Sequence, residues 1–243
     1  ISEVVPSEVV PSPRNSTVTG VTITFDEPVS GLDKDDLTLT YDDGPPEPLP
    51  AEATLTQAGD NTWTLSGFSA QDDDGDYVLT LGTGVQDRAT NSLVAVSERW
   101  TMDRVKPIVT IPIVIESTLD TTPELNGTVD DHDATVVVTV GGNSFTATNN
   151  GDGTWTLPDD AIDPALPDGI YDVLVTATDV AGNAGVDTTT DELNIDGIPI
   201  VTVDELITSI TSPELTGTVN EATATLRLTL NGPTYVPINN GDG

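Results

Sequence analysis

The chain has 243 residues, with 7 Lys plus Arg against 41 Asp plus Glu, no cysteine, one histidine and one methionine. A net charge of −34 excludes nucleic-acid binding through phosphates, which needs clustered cations. The missing cysteines exclude disulfides, thiolate catalysis and Cys-ligated metals, and a single histidine cannot build a multi-histidine centre.

Acidic chains are often disordered, but here 36% of the residues are apolar, and the sequence holds 39 Thr and 27 Val. Both are β-branched and suit pleated strands. No apolar run approaches the ~18 residues of a membrane-spanning helix. The composition predicts an all-β protein with its carboxylates mostly in loops.

No signal peptide is visible after Ile1, so targeting signals are expected outside this stretch, and Glu3 to Pro11 is proline-broken, a linker or a frayed first strand. Strands are predicted at Val21–Phe25 and Asp36–Tyr41, where apolar and polar residues alternate. Further strands are expected at Thr135–Val140 and Asn143–Thr148. An Asn/Asp-Gly turn at Asn149 to Gly153 then leads into Trp155. Asp160 to Leu166 is read as one short helical turn, and Ile170–Thr178 as one long strand.

Repeats organise the chain. Thr122-Pro123-Glu124-Leu125-Asn126-Gly127-Thr128-Val129 recurs 90 positions later as Ser212-Pro213-Glu214-Leu215-Thr216-Gly217-Thr218-Val219. Asn149 to Gly153 recurs as Asn239 to Gly243, so the chain ends inside a motif that continues elsewhere and reads as an internal slice of a longer polypeptide. Asp87-Arg88-Ala89-Thr90-Asn91 matches Asp179-Val180-Ala181-Gly182-Asn183, and Asn61 to Leu65 matches Gly153 to Leu157. Such a period suits a small sandwich. The expected architecture is all-β: tandem immunoglobulin-like Greek-key β-sandwiches in a linear array. Expected units are 1–104, 105–197 and a truncated 198–243, with the first ~14 residues a linker or first strand. The third would expose an apolar face from Leu226, Leu228 and Leu230 and be poorly ordered.

Trp63 and Trp155 share one repeat position. A surface indole would stack on a sugar, whereas the flanking Thr alternation favours a sandwich core. Tyr77 and Tyr171 resemble tyrosine corners, whose hydroxyls bond back to nearby backbone. His132, within Asp130-Asp131-His132-Asp133, is more simply a loop residue than a ligand or base. No catalytic signature is present, and the chain is read as no enzyme.

The acidic loops carry the strongest functional expectation. Asp72-Asp73-Asp74-Gly75-Asp76 is not an EF-hand, because Tyr77 stands where Gly is required and Thr83 where Glu is required. Sandwich geometry would instead gather Asp72, Asp73, Asp74 and Asp76 with the linker residue Asp103. Asp130, Asp131, Asp133, Asp179 and Asn183 of the next unit would join them, with Arg104 and Lys106 as the nearby cations. Asp196 is the linker equivalent at the second junction. Either calcium sits among these carboxylates or they form a solvated acidic surface.

Asp-x-Ala-Gly-Asn followed by a linker Asp and Pro resembles the bacterial immunoglobulin-like repeats of giant, type I-secreted, RTX-type surface adhesins. Val21 to Asp33, with its Phe-x-Glu-Pro-Val-x-Gly run, resembles one subtype, and Pro-Glu-Leu-x-Gly-Thr-Val another. The resemblance implies extracellular, cell-surface extender repeats in adhesion and biofilm formation, with calcium stiffening the junctions and neighbouring repeats of the same chain as partners. Two other readings stand beside it: a module binding carbohydrate or protein, and an accessory region of a large secreted enzyme.

Overall fold

The computed structural model describes residues 4–68, 73–87, 89–113 and 117–241. The first unit contains β1 (Val4–Pro6), β2 (Gly20–Phe25), β3 (Val29–Ser30), β4 (Leu37–Tyr41) and β5 (Glu47–Pro48). It continues with β6 (Thr54–Gln57), β7 (Thr62–Ser66), β8 (Gly75–Leu81), β9 (Gln86–Asp87) and β10 (Val96–Met102). Two four-stranded antiparallel sheets, in the orders β1-β2-β7-β6 and β10-β8-β4-β5, face each other. Alternation decides which side chains meet between them: Val21, Ile23 and Phe25 of β2 are buried, as are Tyr77, Leu79 and Leu81 of β8. Trp100 closes this core.

β4 begins one residue later than expected. Asp33 accepts from the Asp35 N–H and Asp36 from the Asp33 N–H, and this capping box winds Lys34–Asp36 into a 3-10 turn.

The second unit runs through β11 (Val109–Thr110), β12 (Leu125–Val129), β13 (Thr135–Val140), β14 (Asn143–Asn149) and β15 (Thr154–Leu157). β16 (Gly169–Tyr171), β17 (Leu174–Thr178), β18 (Ala184–Val186) and β19 (Leu193–Ile195) complete it. Its strand order is β11-β12-β15-β14-β13-β17-β18, with β16-β19 apart. β12 lies beside β15 rather than β13, a Greek-key exchange. β14 turns the corner: Asn143 to Ala147 pair with β13, then Thr148 and Asn149 pair with β15. Val136, Val138, Val140, Trp155, Val175 and Ala177 form a core separate from the first.

Two local expectations change. Ile170–Thr178 is not one strand: β16 pairs with β19, while β17 pairs with β13 and β18. At the break, the Val173 N–H leaves the ladder and donates to the buried Glu192 carboxylate at 2.8 Å, so the chain crosses between layers there. Asp160 to Leu166 is not helical. Asp160 sits at φ 63°, outside the right-handed helical region, and Pro164 and Pro167 have no N–H to continue a helix.

Residues 198–241 repeat the start of the second unit. Thr202 and Asp204 donate backbone bonds to Thr218 and Thr216, and β20 (Leu228–Thr229) pairs with β21 (Thr234–Tyr235). Leu226 and Leu228 are half-buried, Leu230 is exposed and Val219 is buried. No helix among the described residues is long and apolar enough to cross a membrane.

Candidate functional site

Among the described residues, the buried polar or charged side chains are Asp87, Asn183, Asp187 and Glu192. Asp87 and Asn183 belong to the repeated Asp-x-Ala-x-Asn motif, and the structure shows what that motif builds. In the second unit the Asn183 N–H donates to Asp179 Oδ1 at 2.7 Å and Asn183 Nδ2 to Asp179 Oδ2 at 2.8 Å. The backbone closes the same loop through Asp179 N–H to Asn183 O and Gly182 N–H to Asp179 O. The first unit repeats this atom for atom, with Asn91 on Asp87 at 2.8 and 2.7 Å. These bonds hold the Asp87 carboxyl down at about 2, the Asn91 amide being the largest cause.

Each loop needs a left-handed residue at its fourth position. Gly182 takes φ 89° there and Thr90 takes φ 66°. The glycine adopts it freely, whereas threonine carries a steric cost.

The second loop also reaches the linker. Asn183 Nδ2 also donates to the backbone carbonyl of Asp103, in the linker, at 2.9 Å. A β-carbon built on Gly182 would stand 3.4 Å from Asn15 Nδ2, so the loop tip lies against the first unit. A β-carbon on Gly185 would stand 1.7 Å from Pro107 O, so the linker backbone lies directly on β18. Asp103 donates its own N–H to Arg14 O and accepts from the Val105 N–H. Loop, linker and the first unit's opening segment thus form one hydrogen-bonded junction.

The predicted acidic residues are partly assembled here. Asp74 meets Arg104 at 3.1 Å, and Asp76 meets Arg99 at 3.3 Å and accepts from Thr101 Oγ1 at 2.6 Å. Asp130 accepts from the Ile108 N–H, and Asp131 from the Asp133 N–H. The Asp196 N–H donates to Thr118 O, in the part of the second unit that carries β19. Asp72 lies outside the described residues. Among the described residues no three Asp, Glu or His side chains gather as a metal-ligand set. Asp103, Asp130 and Asp131 each accept an N–H group through one carboxylate oxygen, and Asp179 accepts through both.

Both tyrosine corners are present: Tyr77 Oη donates to Asp73 O at 3.0 Å and Tyr171 Oη to Pro167 O at 2.7 Å. Trp155 is fully buried and donates from Nε1 to Thr110 O at 3.0 Å. Trp63 is only half-buried. Its cross-strand neighbour is Ile23, where Trp155 faces Gly127. Sequence reading overlooked Gly185, Asn15 and Gly127; the glycines were visible, but what approaches them was not.

This geometry defines a class: a tandem all-β protein of immunoglobulin-like sandwiches, whose repeated motif builds hairpin clamps and an interdomain junction. Residues 116–197 match the family model described as a bacterial Ig-like domain, so the resemblance read from the repeats holds over that segment. Comparison with curated proteins gives no match. Among solved structures, the chain is similar to titin domains I67–I69 at 13% identity and TM-score 0.43, covering 90% of this chain and 80% of that one. A structure concerned with host-cell surface retention of a bacterial ice-binding adhesin gives 18% identity and TM-score 0.32, covering 92% and 76%. The tandem Ig repeats of Drosophila Dlar give 13% identity and TM-score 0.26, covering 79% and 98%.

Proposed function

We propose that this chain is a non-catalytic spacer from a bacterial surface or secreted adhesin. Its sandwiches hold a binding region, elsewhere in the protein, away from the cell. The observation that carries the reading is Asn183, which closes its own hairpin loop and grips the preceding linker at Asp103 with the same amide nitrogen. A group shared between a domain and its linker passes orientation from one sandwich to the next. Asp87 and Asp179 are committed as acceptors inside their loops rather than poised for proton transfer. In the second unit the burial of Trp155 removes the ring a sugar would stack on, which favours a spacer there, while Trp63 of the first unit is half-buried and keeps part of its ring accessible.

Calcium at the junction is part of the proposal on charge alone. With a net charge of −34, a divalent ion relieves repulsion between the units, and Asp103, Asp130 and Asp131, each accepting an N–H through Oδ1, keep a second carboxylate oxygen to offer it. At about 100 times its dissociation constant, one such ion would add about 2.7 kcal/mol. A melting temperature that is the same in calcium and in chelator would leave a junction held by hydrogen bonds alone.

The test of the spacer itself uses the absence of native cysteine. Spin labels at Thr56→Cys and Asn143→Cys, both exposed, report the distance between the first two sandwiches. A narrow distribution that broadens in Asn183→Ala is expected. An equally broad distribution in both proteins would remove the orienting role.

A further inference from the structure

The first two units pass the chain on in the same way. At the ends of β10 and β19, Met102 and Ile195 each form a parallel bridge to an opening segment, at Arg14 and Thr118. The next residue, Asp103 or Asp196, donates its N–H to the carbonyl of that same partner. Positions 104 and 197 are therefore equivalent by structure, each the first residue after the linker aspartate.

The tyrosine corners supply what meets that position. Asp74-Gly75-Asp76-Tyr77 and Asp168-Gly169-Ile170-Tyr171 both carry an aspartate three residues before the corner tyrosine. The glycine after it takes φ 151° in one loop and 158° in the other, so the two loops turn alike. Asp74 Oδ1 accepts from Arg104 Nη1 at 3.1 Å, with the arginine side chain 31% exposed and the aspartate side chain 37%. Asp168 Oδ1 accepts from the Gly197 N–H at 2.9 Å. A β-carbon on Gly197 would stand 2.7 Å from that oxygen and push the carboxylate aside. With arginine at 104, the equivalent carboxylate meets a guanidinium.

We propose that the aspartate three residues before the corner tyrosine clamps the outgoing linker. The clamp is ionic at the first junction, through Asp74 and Arg104, and main-chain at the second, through Asp168 and Gly197. This deepens the spacer reading and rests on it: Asn183 grips Asp103 from the unit ahead, and Asp74 grips Arg104 from the unit behind. The two junctions then differ in what loosens them. An exposed ion pair weakens as salt screens it, whereas a bond from a main-chain N–H involves no second charge and responds less. Single exposed pairs add little to folding stability, so the effect is read in orientation rather than in unfolding.

The experiment uses the full chain with spin labels at Thr56→Cys and Asn143→Cys, with chelator present throughout so that no divalent ion contributes. Distances are recorded at about 0.01 M and about 1 M salt, where the screening length falls from ~30 to ~3 Å. The distribution should be narrow at low salt and broaden at high salt. Asp74→Ala should be broad at both, and the exchanged pair Asp74→Arg with Arg104→Asp should restore the narrow, salt-sensitive state. These changes leave the corner itself intact, because Tyr41 Oη donates to the Asp74 carbonyl and Tyr77 Oη to that of Asp73. At the second junction, amide exchange at Gly197 should be alike at both salts and faster in Asp168→Ala. A wild-type distribution equally narrow at both salts, or one that narrows as salt screens general repulsion, would overturn the ionic clamp and leave the spacer reading standing. Wild-type behaviour in Asp74→Ala would overturn it as well. Equal Gly197 exchange in wild type and Asp168→Ala would overturn the main-chain clamp. A distribution broad at both salts and unchanged by Asn183→Ala would remove the spacer reading, and the clamp with it.

Discussion

The side-chain amide nitrogen of Asn183 donates both to Asp179 Oδ2, within its own loop, and to the main-chain carbonyl of Asp103, 80 residues earlier in the linker. One nitrogen therefore couples the folding of a hairpin to the path of the chain that enters its domain. Asn91 makes the same bonds to Asp87. The pair of motifs thus separates a stabilising role from an orienting one.

Asn91→Ala and Asn183→Ala should each lower the stability of their own sandwich by about 1.5–3 kcal/mol, the usual worth of a hydrogen bond to a charged group. Calorimetry of the two variants should show one transition displaced in each. Only Asn183→Ala should also change the distance distribution between the sandwiches.

Thr90 holds φ 66° in a loop where the second unit uses glycine. Thr90→Gly should relieve the left-handed strain and raise first-unit stability by about 0.5–1 kcal/mol, after allowing for the extra freedom glycine gives the unfolded chain. Gly182→Thr should cost about 1–2 kcal/mol. Urea midpoints that move the opposite way in either variant would contradict this account of the loop.

Asp87 has its carboxyl lowered from 3.8 to about 2 by the Asn91 amide and backbone. A carboxyl with a depressed folded-state value binds its proton less readily when folded than when unfolded. Its contribution is therefore fully present above about pH 4 and is lost as the pH falls through about 2. The stability advantage of wild type over Asp87→Asn should be flat from pH 5 to 7 and shrink between about pH 4 and 2. A difference that stays constant down to the acid limit would show that the clamp does not depend on the carboxylate charge.

Gly127 gives Trp155 its place: a β-carbon there would stand 2.0 Å from Thr110 O and 2.8 Å from the indole nitrogen. Gly127→Ala should push the ring outward, break its bond to Thr110 and cost about 1–3 kcal/mol as overpacking. Red-shifted tryptophan emission should accompany the loss of stability. Unchanged emission would mean the strands separate without disturbing the ring.

Much of the fold could be read from sequence because it rests on short-range regularity. The alternation in Val21–Phe25 and Thr135–Val140 marks which side chains face inward, and recurrence of the Pro-Glu-Leu-x-Gly-Thr-Val segment marks the repeat. Tyr77 and Tyr171 read as corners from their place after Gly75-Asp76 and Gly169-Ile170 at a strand start, and their hydroxyls donate to the carbonyls of Asp73 and Pro167. The break at Val173 was not legible, since it depends on Glu192 arriving from another strand. Nor was the difference between Trp63 and Trp155, which share a repeat position and differ in the neighbour across the ladder, Ile23 or Gly127. The acidic residues could be counted, but their partners could not. A carboxylate accepts an N–H or a side-chain cation with equal readiness on paper, and the tertiary structure brings Arg104 to Asp74, the Ile108 N–H to Asp130 and the Asn183 N–H to Asp179. Composition and period thus determined that the chain forms acidic tandem sandwiches. Tertiary structure decided that Asp179 and Asn183 form a clamp reaching the linker, because Asp103 and Asn183 meet only after each sandwich has closed.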